Sequence, residues 1–443
     1  RMGGVAFITG FRTHDVRFPT SDGLHGSDAM NYDPDYSAAY LVLETNVPGL
    51  TGHSLVFTIG RGNELQVAAL DLLAPLVVGR DVDELSSAMG DLGRQLVRDS
   101  QLRWLGPEKG VTHMAAGGVI NAAWDLIAKH EGKPLWKALV DRTPEQLVDL
   151  VDFRYLTDAL TRDEALDILR MRVPDRAQNE QRLLSEGVPA YTTGPGWLGY
   201  DDATMIRLCH EAIADGYTFI KLKVGRSLVD EKRRLALVRQ TVSDAIRVAV
   251  DANQVWGVDE AVTWVQALSD ANLYWVEEPT HPDDVLGHAA IARRIAPVKV
   301  ATGEHAASRI VFKQLLRARA LEVLQIDATR VAGVNENIAN LLLAAKYNVP
   351  VCPHAGGVGL GEMVQHLSML DAVAIAGHRE DRIIEFVDHL HEHFVTPVQI
   401  EKAAYRAPTV AGSGAELIPS SLNKYMFPNG IAWQSAARFN PSV

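Results

Sequence analysis

The stretch YTFIKLKVG, residues 217–225, reads as an apolar strand interrupted by two lysines, Lys221 and Lys223. Residues two apart on a strand point to the same face. Phe219, Lys221 and Lys223 therefore share one face, while Ile220, Leu222 and Val224 pack the other. Taken alone, such lysines are most simply an edge strand's protection against aggregation. The flanking sequence argues otherwise.

From about residue 189 short β-branched or aromatic runs alternate with amphipathic helical patterns. The runs are VPAYTTG (188–194), YTFIKLKVG, AIRVAVDANQ (245–254), LYWVEEP (273–279), VKVATGE (298–304), LEVLQIDA (321–328), NVPVCPHAG (348–356) and RIIEFVDH (382–389). Helical periods such as VDEKRRLALVRQTV (229–242) and VNENIANLLLAAKYN (334–348) lie between them. Eight such strands with seven intervening helices predict an α/β fold, a (β/α)8 TIM-type barrel over residues 189–400. The competing doubly wound sheet lacks its usual glycine-rich first turn here.

Before the barrel, VAFITGFRTHDVRF (5–18) and AAYLVLETN (38–46) read as strands around a polar loop, followed by helical patterns. Residues 1–140 are thus expected to form an α+β capping domain, with a charged connector or insertion over 141–188. The tail, 401–443, lacks the βα rhythm and is expected to return to the cap. A chain of 443 residues suits one large and one smaller domain. With 47% hydrophobic and 22% charged residues the balance is that of an ordinary globular protein. A formal charge of −12 argues against nucleic acid, and no apolar run reaches the length of a membrane span. Two distant cysteines, Cys209 and Cys352, and a start without signal-peptide character lead to an expected cytoplasmic setting.

The strand ends carry the chemistry. In chain order they are Lys221 and Lys223, Asp251 and Asn253, Glu277, Glu304, Asp327, His354 and Glu385. In a barrel these ends converge on one mouth, where active sites form. Any one of them is equally a helix cap or a rim charge, but seven in succession are not explained that way. Asp251, Glu277 and Glu304 would bring three negative charges together, which is costly unless a cation lies between them. All-oxygen ligation points to a hard divalent ion, Mg²⁺ first. Glu278 is expected on the opposite strand face and not as a ligand. Mutual repulsion and desolvation of the paired lysines would leave Lys223 neutral often enough to act as a base. Asp327 and His354, on neighbouring strands, can pair for acid/base work. HLHEH (389–393) resembles a metal cluster but lacks the helical spacing of one, and AGGVGLGE (355–362) reads as a tight turn rather than an anion cradle.

This combination resembles the mandelate racemase group of the enolase superfamily, whose members pair a Lys or His base with Mg²⁺. AAWDLIAKHEGKPLWKAL (122–139) resembles the helix that the group places before its barrel. DVRFPTS (15–21), HGSDAM (25–30), DPDYSAAY (33–40), LRWLGPEKGV (102–111), WLGYDD (197–202), CPHAGGVGL (352–360) and VDHLHEHF (387–394) extend the resemblance to the L-fuconate dehydratases within it. Gly194 and Ser308 depart from residues usual there. The resemblance implies a lyase that dehydrates an acid sugar, L-fuconate, to its 2-keto-3-deoxy acid. By it, Asp251, Glu277 and Glu304 hold the metal, Lys223 is the base, His354 the acid beside Asp327, and Glu385 stabilises the enolate. Gly26, Ser27, Asp28 and Tyr36 would contact substrate, with Lys221 at its carboxylate. The expected partners are a small acid sugar and further copies of the chain, with neither nucleic acid nor membrane. A dehydratase or epimerase for another acid sugar is the alternative. A catalytically silent protein on the same fold need not keep all these residues together.

Overall fold

The structure, a computed structural model, describes residues 4–434; the last part of the expected tail, 435–443, lies outside them. The cap is built on an antiparallel sheet of β1 (Ile8–Arg17), β2 (Ser37–Thr45) and β3 (Thr51–Thr58), in that order. The third strand was not expected from the sequence. The helix Gly110–Glu131 covers this sheet and is buried along most of its length. A Cβ at Gly52 would lie 2.4 Å from the Ala122 carbonyl oxygen, so glycine lets strand and helix backbones touch.

The barrel strands are β4 (Val188–Gly196), β5 (Phe219–Lys223), β6 (Arg247–Asp251), β7 (Leu273–Glu277), β8 (Lys299–Thr302) and β9 (Val323–Leu324), paired in parallel in chain order. Val351 bridges Leu324 at the seventh position, and β10 (Ile384–Phe386) pairs with β4 and closes the ring. Alternation fixes what fills it. Tyr191, Phe219, Ala249, Trp275, Ala301, Val323 and Cys352 form one buried layer inside the barrel, one residue from each successive strand position. Two residues further along those strands stand Thr193, Lys221, Asp251, Glu277, Gln325 and His354, so an apolar floor supports a polar storey.

Beside the short helix Pro144–Asp149, the connector forms two longer helices, Arg162–Arg172 and Arg176–Glu186. Both pack on the helical turn at 371–375, where Asn179 donates to the Val373 carbonyl at 3.2 Å, and the first also packs on the barrel helix Gly333–Lys346. The tail adds the short strands β11 (Ile400–Glu401) and β12 (Ala404–Tyr405), the latter antiparallel to β4, and then crosses to the cap. There the Leu417 amide donates to the Tyr40 hydroxyl and the Trp433 indole to the Arg17 carbonyl. Among the described residues no helix is long and apolar enough to cross a membrane.

A buried charge network joins cap to barrel. Arg309, on a barrel helix, reaches Glu108 of the cap at 2.6 Å and Glu336 at 3.4 Å. Glu336 in turn meets His113 of the long cap helix at 2.6 Å.

Candidate active site

The polar storey brings the carboxylates of Asp251, Glu277 and Glu304 together, with oxygens lying within 4.8 Å of one another. All three are buried, and Glu304 Oε1 has no hydrogen-bond partner. Burial pushes the Glu277 carboxyl well above its usual range, and Asp251 and Glu304 add to the shift against the opposing pull of Lys221. Glu304 is raised by burial as well. An all-oxygen set with an unpartnered buried oxygen suits a divalent cation such as Mg²⁺.

The lysines stand in the same storey. Lys221 Nζ lies 2.7 Å from Glu277 and 2.9 Å from Glu385, fully buried. Lys223 Nζ lies 2.6 Å from Asp251 and 5.1 Å from the centre of the Trp197 ring. The expectation of a neutral Lys223 is not met. Burial and Lys221 lower its affinity for a proton, yet Asp251, Asp28 and Glu304 outweigh them and raise it. Carboxylates at hydrogen-bond distance act more strongly than the second ammonium. They are largely the groups a cation would claim.

Glu304, Asp327 and His354 lie just beyond the strands proper, where backbone pairing continues through the His354 amide to the Ile326 carbonyl. His354 Nδ1 lies 2.7 Å from Asp327, and its Nε2 is 3.1 Å from Glu304. Burial lowers the imidazole's affinity for its proton, but Glu304 and Asp327 overcome this and raise its pKa to about 10. Glu385 accepts from Lys221, from the Ala355 amide at 3.1 Å and from the Thr193 hydroxyl. Against burial, Lys221 and His354 hold it well below the usual carboxylate range. A Cβ at Gly356 would come 2.9 Å from Glu385 Oε1, so the glycine turn keeps this space open.

Over the carboxylates lies a cavity of about 400 Å³, whose wall includes Lys223, Asn253, Glu304, His354 and Glu385 from the barrel. From the cap it takes Gly26, Asp28 and Tyr36. The loop 19–36 is held by its own chemistry: Asp28 accepts from the Met30 and Asn31 amides, and Thr20 donates to the Pro34 carbonyl. Ser27 does not line the cavity, and its hydroxyl accepts from the Gly199 amide at 3.0 Å, which clips the loop to the barrel. Lys221 lies below, occupied by its two glutamates.

The three histidines of HLHEH part company. His391 pairs with Glu362 at 2.9 Å, the His393 ring packs between Phe18 and Tyr425, and His389 meets His25 and Tyr36. They seam barrel, tail and cap. Ser308 caps the helix Arg309–Arg317 by accepting from the Ile310 amide. Trp197, His305 and Arg330 also line the cavity, and none was singled out from the sequence. The position of His305 directly after Glu304 was the available signal.

Residues 204–421 match the family model "Enolase C-terminal domain-like", and 19–139 match "Mandelate racemase / muconate lactonizing enzyme, N-terminal domain". Mitochondrial enolase superfamily member 1 of Bos taurus is 52% identical over 430 residues, 96% of this chain and 97% of that one. L-galactonate dehydratase of Hypocrea jecorina is 49% identical over 433 residues, 96% of each chain. The crystal structure of the human mitochondrial enolase superfamily member 1 superposes with a TM-score of 0.95 at 48% identity, covering 97% of this chain and 98% of that one. None of the three is named for L-fuconate.

Proposed function

The chain belongs to the mandelate racemase / muconate lactonizing enzyme family of the enolase superfamily, and we propose that it dehydrates a six-carbon acid sugar, L-fuconate, to 2-keto-3-deoxy-L-fuconate. One observation carries this reading. Lys223 and His354 flank the carboxylate trio from its two ends, beside Asp251 and Glu304, in one cavity.

Asp251, Glu277 and Glu304 would hold Mg²⁺, which supplies positive charge against the negative charge that develops on the substrate's carboxylate. Lys223, relieved of Asp251, takes the proton from carbon 2. His354, oriented by Asp327, gives its proton to the 3-hydroxyl as the carbon–oxygen bond breaks and water leaves. The resulting enol becomes the 2-keto acid by moving its proton to carbon 3. Lys221, held charged between Glu277 and Glu385, adds positive charge beneath the carboxylate end. Glu385, on the cavity wall, anchors Lys221 and the glycine turn and would help stabilise the ene-diolate through the Lys221 ammonium it positions.

L-fuconate is L-galactonate without its 6-hydroxyl, so the reading sits one oxygen away from the named activity of a 49%-identical relative. The test is a panel of acid sugars with Mg²⁺, assayed for 2-keto-3-deoxy acid. The expected result is turnover of L-fuconate ahead of L-galactonate. Conversion of L-galactonate alone would replace the substrate, and epimerisation without loss of water would replace the reaction.

A further inference from the structure

Beside His354–Asp327 the cavity holds a second imidazole–carboxylate pair that the mechanism leaves unused. Glu278 follows the end of β7, where strand alternation would turn it away from the site. Its φ of 43° breaks that alternation. The carboxylate is fully buried and accepts from His305 Nδ1 at 2.8 Å and from Gln254 Nε2 at 3.0 Å. The Gln254 amide also donates to the Glu278 carbonyl at 2.7 Å. Asn253 and Gln254 have φ values of 47° and 72°, so Gln254 and its neighbour share the left-handed conformation of Glu278. Strain of this kind persists where surrounding structure enforces it, typically at functional sites.

The ring held by this arch is not sealed in. The His305 side chain is 31% exposed and lines the cavity with Lys223 and His354. Its Nε2 makes no protein hydrogen bond among the described residues, whereas Nδ1 is committed to Glu278. Arg330, a neighbour on the cavity wall, reaches from the Glu304 carbonyl to Met114 of the cap helix, which puts this wall between the carboxylate trio and the cap. We infer that His305 contacts the substrate, its Nε2 reading the hydroxyl on carbon 4 or 5 of the acid sugar, with Glu278 and Gln254 as positioning residues. A hydroxyl both donates and accepts, so it pairs with the ring in either protonation state, and a methylene cannot replace it. This inference rests on the acid-sugar reading of the cavity.

The test uses the Mg²⁺-loaded enzyme and the acid sugar that the wild type converts best, together with its 4-deoxy and 5-deoxy analogues. His305→Asn is expected to lose about 10- to 100-fold in kcat/KM on the parent sugar, the range for a hydrogen bond to a polar or charged partner. The loss should fall mainly in KM and should vanish on one of the two analogues. Glu278→Leu should show the same selective loss, and Glu278→Gln, which keeps an accepting oxygen, should recover part of it. His305→Gln serves if the asparagine variant does not fold. Equal losses on all three sugars would overturn the inference, because a structural role is indifferent to one hydroxyl. Glu278, Glu304 and His305 also bring ligand atoms within 4.8 Å. Mn²⁺ titration therefore forms the other arm, and a second bound ion abolished by His305→Asn would likewise overturn it. A wild type inert towards every acid sugar would remove the parent reading itself.

Discussion

At the scale of single residues the two proposed proton carriers make separable claims. Lys223 stands beside Asp251 and His354 beside Glu304, so in the proposed reaction they approach substrate from opposite ends of the trio. Base and acid then act on different bonds. His354→Asn is expected to keep exchanging the carbon-2 hydrogen in D₂O while dehydration falls by about 10²- to 10⁴-fold, the usual cost of losing a positioned acid. Lys223→Ala is expected to do neither. NMR of recovered substrate reads the exchange; exchange kept in the lysine variant and lost in the histidine variant would swap the roles. Glu277→Gln removes a charge from the trio and leaves Lys221 with a neutral neighbour at 2.7 Å. Calorimetric titration of that variant should show Mg²⁺ affinity lowered at least about tenfold, and wild-type affinity would take Glu277 out of the ligand set.

At the scale of elements, loop 19–36 brings the cap to the cavity wall through a glycine. Gly26 has φ of 80°, and a Cβ there would lie 2.1 Å from the Tyr36 hydroxyl oxygen. Gly26→Ala must therefore strain the turn and displace Tyr36, whereas Tyr36→Phe removes only the hydroxyl. Both should reorder the preference among acid sugars, with kcat/KM on the best substrate down about tenfold or more for the alanine variant. Unchanged ranking in both would reduce the loop to a connector. Elements also show where sequence patterns stop being informative. The period-two rule placed Lys221 and Lys223 on the inner face with Phe219 because β5 pairs with β6 in unbroken register to its last residue. It misjudged Glu278, since a residue at φ of 43° no longer belongs to the strand. Strand β3 was missed although VPGL (47–50) supplies a turn before it, because SLVF (54–57) merges into the helical pattern that follows. The neutral Lys223 expected from lysine–lysine repulsion failed for a different reason. Residue spacing gives the neighbours on one strand, but the carboxylates that decide its charge come from others.

At the scale of the whole molecule, the proposed catalysis requires the cap to stay seated, because Asp28 and Tyr36 line the cavity from the cap and Lys223 from the barrel. The buried network of Arg309, Glu108, Glu336 and His113 holds that seam. Burial alone would raise the Glu336 carboxyl, but His113 and Arg309 outweigh it and hold the pKa at about 2, against 4.5 for an ordinary glutamate. A carboxylate depressed on folding stabilises the folded state above its unfolded pKa, and the contribution fades as pH falls towards the folded value. A shift of this size corresponds to about 3 kcal/mol, in line with the roughly 3–5 kcal/mol lost when one partner of a buried pair is removed. Glu336→Gln should therefore be about 3 kcal/mol less stable than wild type at pH 7. The gap should begin to close below pH 4.5 and be nearly gone near pH 2. Denaturant titrations of both proteins at pH 7, 5 and 3, followed by tryptophan fluorescence, measure it. A gap that stays constant from pH 7 to 3 would mean that Glu336 acts there through shape and hydrogen bonding, and that its charge does not fasten cap to barrel.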